Sequence, residues 1–112
     1  MEGALIDHAI ALLEKANADL QPELLPAPVA RRLLASYARV EKLAGFGIAA
    51  LARKLDDASH VARITGVSAG KAKAAVQTGK TMSQSDDLAA ALQHGDVSLD
   101  QAAVIASAEE SA

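Results

Sequence analysis

The chain has 112 residues, of which 51% are hydrophobic and 22% charged, with one Phe, one Tyr and neither Trp nor Cys. This length suits a single domain, and the lack of Cys excludes disulfides, thiolate zinc sites and a cysteine nucleophile. The 27 Ala and 14 Leu, against 7 Val and 5 Ile, disfavour an all-β fold because strands are rich in β-branched and aromatic residues.

Charge is distributed in three blocks along the chain. Residues 1–30 have one base and five acids, residues 31–80 have ten bases and three acids, and residues 81–112 have six acids and no base. The net charge of −3 therefore conceals a central block of +7. This pattern fits either a basic face that binds nucleic acid or acidic flanks that fold back and neutralise the centre.

Proline residues separate the first two predicted helices. From Ala4 to Ala18 the apolar residues recur at spacings of three and four, which predicts an amphipathic helix that lies on a core. Pro22, Pro26 and Pro28 follow, and proline cannot continue a helix. Residues 20–27 are therefore the predicted connection.

A long helix is predicted over residues 28–57. Pro28 suits its first turn, and apolar residues then recur at spacings of four or three over about seven turns. The Gly45-Phe46-Gly47 segment costs helix propensity, and we expect another helix to cross closely at this point.

Two shorter helices joined by a glycine turn are predicted next. Residues Ser59–Thr65 form the first, with Ser59 as its N-cap. Gly66 is the expected left-handed residue of the turn, and Ser68 is a good N-cap for a second helix over Ala69–Thr78.

A predicted break around residues 79–83 leads to the last two helices. The first covers Asp86–His94. Ser98 with Gln101 three positions later has the spacing of a capping box, which predicts the start of a final helix that extends to about Glu109.

The sequence thus predicts an all-α fold of about six helices, with one long central helix and a helix-turn-helix-like pair followed by two short helices. We expect residues 1–112 to form a single helical domain. Its parts are an N-terminal helix with a Pro-rich connection (1–27), the long helix (28–57), the helix-turn-helix-like unit (58–80) and the C-terminal helix pair (84–110). We expect a cytoplasmic protein, because neither a secretory signal nor an apolar stretch near the roughly 20 residues of a membrane span is present.

The helix-turn-helix-like unit is the strongest functional motif. Ala62 is small where the two helices meet, Gly66 forms the turn, and polar or basic residues lie on the outer face of the second helix. Lysine contacts guanine or phosphate, glutamine reads adenine, and a capped helix N-terminus attracts phosphate. The predicted DNA-binding residues are Ser68, Lys71, Lys73, Gln77 and Lys80. The alternative is that this helix pair is only a packing unit.

No catalytic, metal or cofactor site is predicted. The histidines, His8, His60 and His94, lack the paired spacing of metal ligands. Gly79-Lys80-Thr81 resembles the end of a phosphate loop, but Ala74 stands where the first glycine belongs and no strand precedes it.

Four segments within roughly residues 30–110 have a familiar wording: Arg39-Val40-Glu41-Lys42-Leu43, Leu51–Asp57, Thr65-Gly66-Val67-Ser68 with Lys71-Ala72, and Ala91–Ala102. They resemble the helical domain of unknown function that precedes HNH endonuclease modules in actinobacteria and their mobile elements, including mycobacterial repeat-family proteins. The last segment is the most specific, and it also resembles the helices that follow the helix-turn-helix in ParB-type partition proteins.

The resemblance implies association with a DNA-cutting or mobile-element protein whose nuclease domain lies downstream. We expect that domain to be absent from this chain, because the only Asn is Asn17 and no His follows His94. We therefore expect no enzymatic activity and no cofactor, and we expect DNA as the partner. The alternatives are a module that dimerises or docks a nuclease through residues 28–57 without binding nucleic acid, and, with least support, an intrinsic nuclease.

Overall fold

The computed structural model describes residues 2–111 and the side chains of residues 2–109. This part of the chain is all-helical, with six α-helices, one short 3-10 turn and no strand, and so confirms the predicted fold class. None of its helices is both long enough and apolar enough to cross a membrane. The α-helices are α1 (Ala4–Asp19), α2 (Ala27–Leu55), α3 (Ala58–Thr65), α4 (Ala69–Met82), α5 (Asp86–Gln93) and α6 (Leu99–Ser111), and the 3-10 turn is Pro22–Leu24.

The chain divides into two compact units, Met1–Leu34 and Ala35–Ala112, and the boundary falls within α2. In the first unit, the prediction that α1 lies on a core is wrong. No residue of α1 is buried, and Leu5 is 86% exposed. The apolar period of a helix identifies a face that needs a cover, but it does not show that the same chain supplies one.

The core of the second unit consists of alanines from α2 packed against alanines and a few larger side chains from the helices that follow. One cluster joins α2 to α4, α5 and α6, and the other joins α2 to α3 and α4. Leu99 packs against both clusters and so connects them. The buried members are Ala49, Met82, Leu88, Leu92, Ala102 and Ala106 in the first cluster, and Ala52, Val61, Ala72, Ala75 and Val76 in the second.

Two helices approach each other closely at Gly79, where the sequence predicted a break. α4 continues past Thr78 to Met82, and Gly79 is buried against α2. A Cβ placed on Gly79 would lie 2.8 Å from Arg53 Cβ and closer still to the Ala49 carbonyl oxygen. The glycine is therefore required for packing and does not terminate the helix.

The predicted close crossing at Gly45-Phe46-Gly47 is less tight. Gly45 is buried, and a Cβ placed there would lie 3.4 Å from Leu99 Cβ, which is close to an ordinary van der Waals contact. A Cβ on Gly47 would have nothing within 4 Å. α2 runs through the segment without interruption.

Side-chain caps fix the starts of the short helices. The capping box is confirmed: the Ser98 amide donates to Gln101 Oε1 at 2.8 Å, and the Gln101 amide donates to Ser98 Oγ at 3.0 Å. The cap of α3 differs from the prediction. Asp57, and not Ser59, accepts from the His60 amide at 3.1 Å, because α3 begins one residue before Ser59.

We expect Gly79→Ala to lower the free energy of unfolding by about 1–3 kcal/mol, because the added methyl would force α4 away from α2. Gly47→Ala is the matched control: it should raise the same quantity by up to about 1 kcal/mol through helix propensity alone. Urea unfolding followed by far-UV circular dichroism measures both. Equal stability of Gly79→Ala and the wild type would contradict the packing role of Gly79.

Candidate nucleic-acid interface

The turn between α3 and α4 has the predicted geometry. Gly66 adopts a left-handed conformation with φ 76°, and its amide donates to the Ala62 carbonyl at 2.8 Å. Ser68 Oγ then accepts from the Lys71 amide at 3.2 Å and caps α4. The turn is therefore fixed by one residue that tolerates positive φ and one that satisfies a free amide of the next helix.

The inner face of the helix pair is buried. Val61 on α3 and Ala72, Ala75 and Val76 on α4 pack against Ala52 of α2. Thr78, further along α4, is fully buried, and its hydroxyl donates to the Ala74 carbonyl at 2.7 Å. Because this inner face is committed to packing, only the opposite side of α4 can meet a large ligand.

The outer side of α4 presents a line of three polar residues, Lys73, Gln77 and Lys80. Their spacings of four and three place them on one face of the helix. Lys73 and Lys80 are exposed and Gln77 is half-buried. We call this line the reader line. It brings together three of the five residues predicted to bind DNA.

Lys71 lies away from the reader line. It stands two positions before Lys73, which corresponds to about 200° around the helix. Its side chain lines a cavity between α2, α3, α4 and α6, and its Nζ lies 3.8 Å from Asp100 Oδ2 on α6. The structure therefore places Lys71 on the α6 side of α4.

Acidic residues partly neutralise the predicted DNA contacts. Lys80 Nζ lies 3.0 Å from Asp56 Oδ1, just after α2, and both side chains are exposed. Exposed ion pairs such as this one and Lys71–Asp100 are weak and are screened by salt, so a phosphate can compete for either lysine. Among the described residues, Lys73 has no ion-pair partner.

No sequence pattern indicated that Arg53 lies beside this surface. Arg53 is exposed on α2, and its Cβ lies against Gly79, next to Lys80 on α4. This neighbourhood arises only because α4 continues through Gly79. The sequence predicted that α4 ends at Thr78, and that prediction leaves out the contact between Gly79 and Arg53.

The described residues include no group of three His, Asp or Glu side chains placed to hold a metal ion. Comparison of the chain with protein-family models, with curated proteins and with solved structures finds no match.

Replacement of Ser68 tests its role as the N-cap of α4. We expect Ser68→Ala to lower the free energy of unfolding by about 1 kcal/mol, because the Lys71 amide loses its acceptor. Ser68→Asp should retain most of the wild-type stability, since aspartate is an equally good cap. Thermal unfolding of the three proteins checks this, and a fully stable Ser68→Ala would show that the cap contributes little.

Proposed function

We propose that the chain is a cytoplasmic, non-catalytic DNA-binding module that contacts DNA through its helix-turn-helix-like unit. The observation that supports this proposal is the reader line, Lys73, Gln77 and Lys80, on the exposed side of a helix whose other side is buried. A rigid helix with a cationic outer face and a capped N-terminus is the usual means of placing such residues in a groove.

The composition of α4 favours contacts to phosphate over readout of bases. Ala69 and Gly70, at the exposed start of the helix, have no side chain that reaches a base edge. Lys73 and Lys80 can neutralise phosphates, and Gln77 is the one residue of the reader line suited to adenine. We therefore propose weak sequence preference and strong dependence on salt.

We further propose that this module belongs to an HNH-endonuclease-associated protein of actinobacteria or their mobile elements. The support is the sequence resemblance of residues 30–110, together with the Ser98–Gln101 capping box in its most specific segment. In such a protein, the module would hold DNA while a separate domain cuts it. Plasmid nicking by the purified chain that requires Mg²⁺ and is abolished by chelator would contradict the non-catalytic assignment.

The test of DNA binding is a titration of the purified chain against a labelled random duplex at several salt concentrations. We expect Lys73→Ala to weaken binding and to make the slope of log affinity against log salt shallower by about 0.9, because one phosphate contact is lost. Lys71→Ala is the matched control, with the same charge change on the same helix but on the α6 side, and it should have the smaller effect.

Two outcomes would contradict the proposal. No binding at low salt would reject DNA as the partner, and equal effects of Lys73→Ala and Lys71→Ala would show that binding follows net charge and not the reader line.

A second candidate function is dimerisation or docking through the long helix without nucleic acid. It is favoured by apolar residues near the C-terminal end of α2, where Leu51 is 66% and Leu55 47% exposed. Ile64 on the adjacent α3 is 64% exposed. A contiguous apolar surface of this kind is typical of an interaction site.

A further inference from the structure

The C-terminal end of α2 lies beside the basic side of α4. Gly79 of α4 packs against Ala49 and Arg53, which stand four positions apart on one face of α2. Just after α2, Asp56 Oδ1 lies 3.0 Å from Lys80 Nζ. The Lys80 end of the reader line therefore adjoins the last turn of α2, which contains Arg53.

Arg53 adds a second cation at this place. Its side chain is exposed although its Cβ contacts Gly79, and among the described residues it forms no ion pair. A long basic side chain can pack its aliphatic part on a neighbour and keep its charged end in water. The guanidinium carries a planar fork of N–H donors that matches a phosphate. Arg53 and Lys80 are thus neighbouring phosphate donors that come from two different helices.

Asp56 places an anion on the same surface. In the part of the chain that the structure describes, it is the one non-glycine residue with a positive φ, at 49°. Its amide donates to the Ala52 carbonyl at 2.9 Å and closes the end of α2. Glycine or asparagine is the usual residue in this conformation at a helix end. Aspartate differs from both by its carboxylate, and that carboxylate reaches Lys80.

The ion pair between Asp56 and Lys80 can be exchanged for another anion. The two side chains are 61% and 47% exposed, and a pair in water contributes little to stability and is screened by salt. A phosphate offers Lys80 the same kind of interaction, and it can also accept hydrogen bonds from Arg53.

We propose that Arg53 and Lys80 form a phosphate-binding site for DNA, and that Asp56 competes with DNA for Lys80 in the free protein until a phosphate displaces it. The inference rests on the proposed DNA-binding function and adds to it a contact on α2 and an intramolecular competitor. A DNA phosphate is the ligand because the site continues the reader line onto the neighbouring helix. Asp56 therefore lowers the affinity for DNA.

The first test is Asp56→Asn, which removes the carboxylate and keeps a residue that tolerates the left-handed conformation. We expect this variant to bind a labelled random duplex about 1.5- to fivefold more tightly than the wild type, the range that corresponds to one exposed ion pair. Asp100→Asn is the matched control. It removes the same charge from the other exposed ion pair, that of Lys71 on the α6 side, and should have the smaller effect.

A double replacement distinguishes competition for Lys80 from general repulsion of DNA. In a Lys80→Ala background, Asp56→Asn has no lysine to release, so its effect on affinity should fall to that of Asp100→Asn. Equal effects of Asp56→Asn with and without Lys80 would show that the carboxylate only repels DNA, and would overturn its role as a competitor.

The contribution of α2 is tested by Arg53→Ala, which keeps the Cβ that contacts Gly79. We expect weaker binding and a slope of log affinity against log salt that is shallower by about 0.9, because one phosphate contact is lost. Lys54→Ala is the matched control: it removes the same charge from the same turn, about 100° around the helix, and should change the slope less. Thermal unfolding followed by circular dichroism should show that every variant is folded, because all the replaced side chains are exposed.

The contrary outcomes differ from one another. No DNA binding by the wild type at low salt would reject the DNA-binding function and this site together. Binding that requires Lys73, but that Arg53→Ala changes no more than Lys54→Ala does, would reject the contact on α2 and leave the reader line as the interface. Equal affinities of Asp56→Asn and Asp100→Asn would reject Asp56 as a competitor.

Discussion

The packing of residues 35–112 depends on how closely α4 approaches α2. At Gly79 the two helices are so near that the backbone of α4 meets the Ala49 carbonyl and Arg53, and no side chain of any size fits between them. The neighbouring buried residues of α2 and α4 are also small: they include alanines at positions 49, 52, 72 and 75. A core of small side chains gains little per residue from the hydrophobic effect, so its stability requires close contact throughout and tolerates few added methyl groups.

This packing also determines what α4 can offer to a ligand. The helix contacts α3, α5 and α6 as well as α2, and its buried face includes Thr78 and Thr81, whose hydroxyls are satisfied within the helix by the Ala74 and Gln77 carbonyls. What remains is the reader line and the start of the helix. Lys71 is excluded from that line by helix geometry alone, although in the sequence it stands among the other basic residues.

Local features were predictable from the sequence, whereas features set by distant contacts were not. Gly66, Ser68 and the Ser98–Gln101 pair each act within one turn of chain, so residue type and spacing determine them. From the sequence alone, Gly79 indicates the end of a helix. Only its contact with Ala49 and Arg53 of α2 shows that the glycine is needed for packing. Likewise, the period of α1 showed an apolar face but not its exposure, and the ion pairs of Lys71 and Lys80 involve residues 24 or more positions away.

The two candidate functions, DNA binding and dimerisation, are physically compatible. In the proposed DNA complex, a single reader line with two lysines, one of them paired with Asp56, would make few phosphate contacts and would bind DNA weakly by itself. A symmetric dimer would carry two copies of α4, and the second would meet the same duplex at a high effective concentration if the two-fold axis allowed both to reach it. Weak DNA binding by each copy of α4 would then be compatible with a useful affinity of the dimer, because the phosphate contacts of both copies would add. On this view the exposed apolar residues Leu51, Leu55 and Ile64 would contribute to DNA binding without touching DNA.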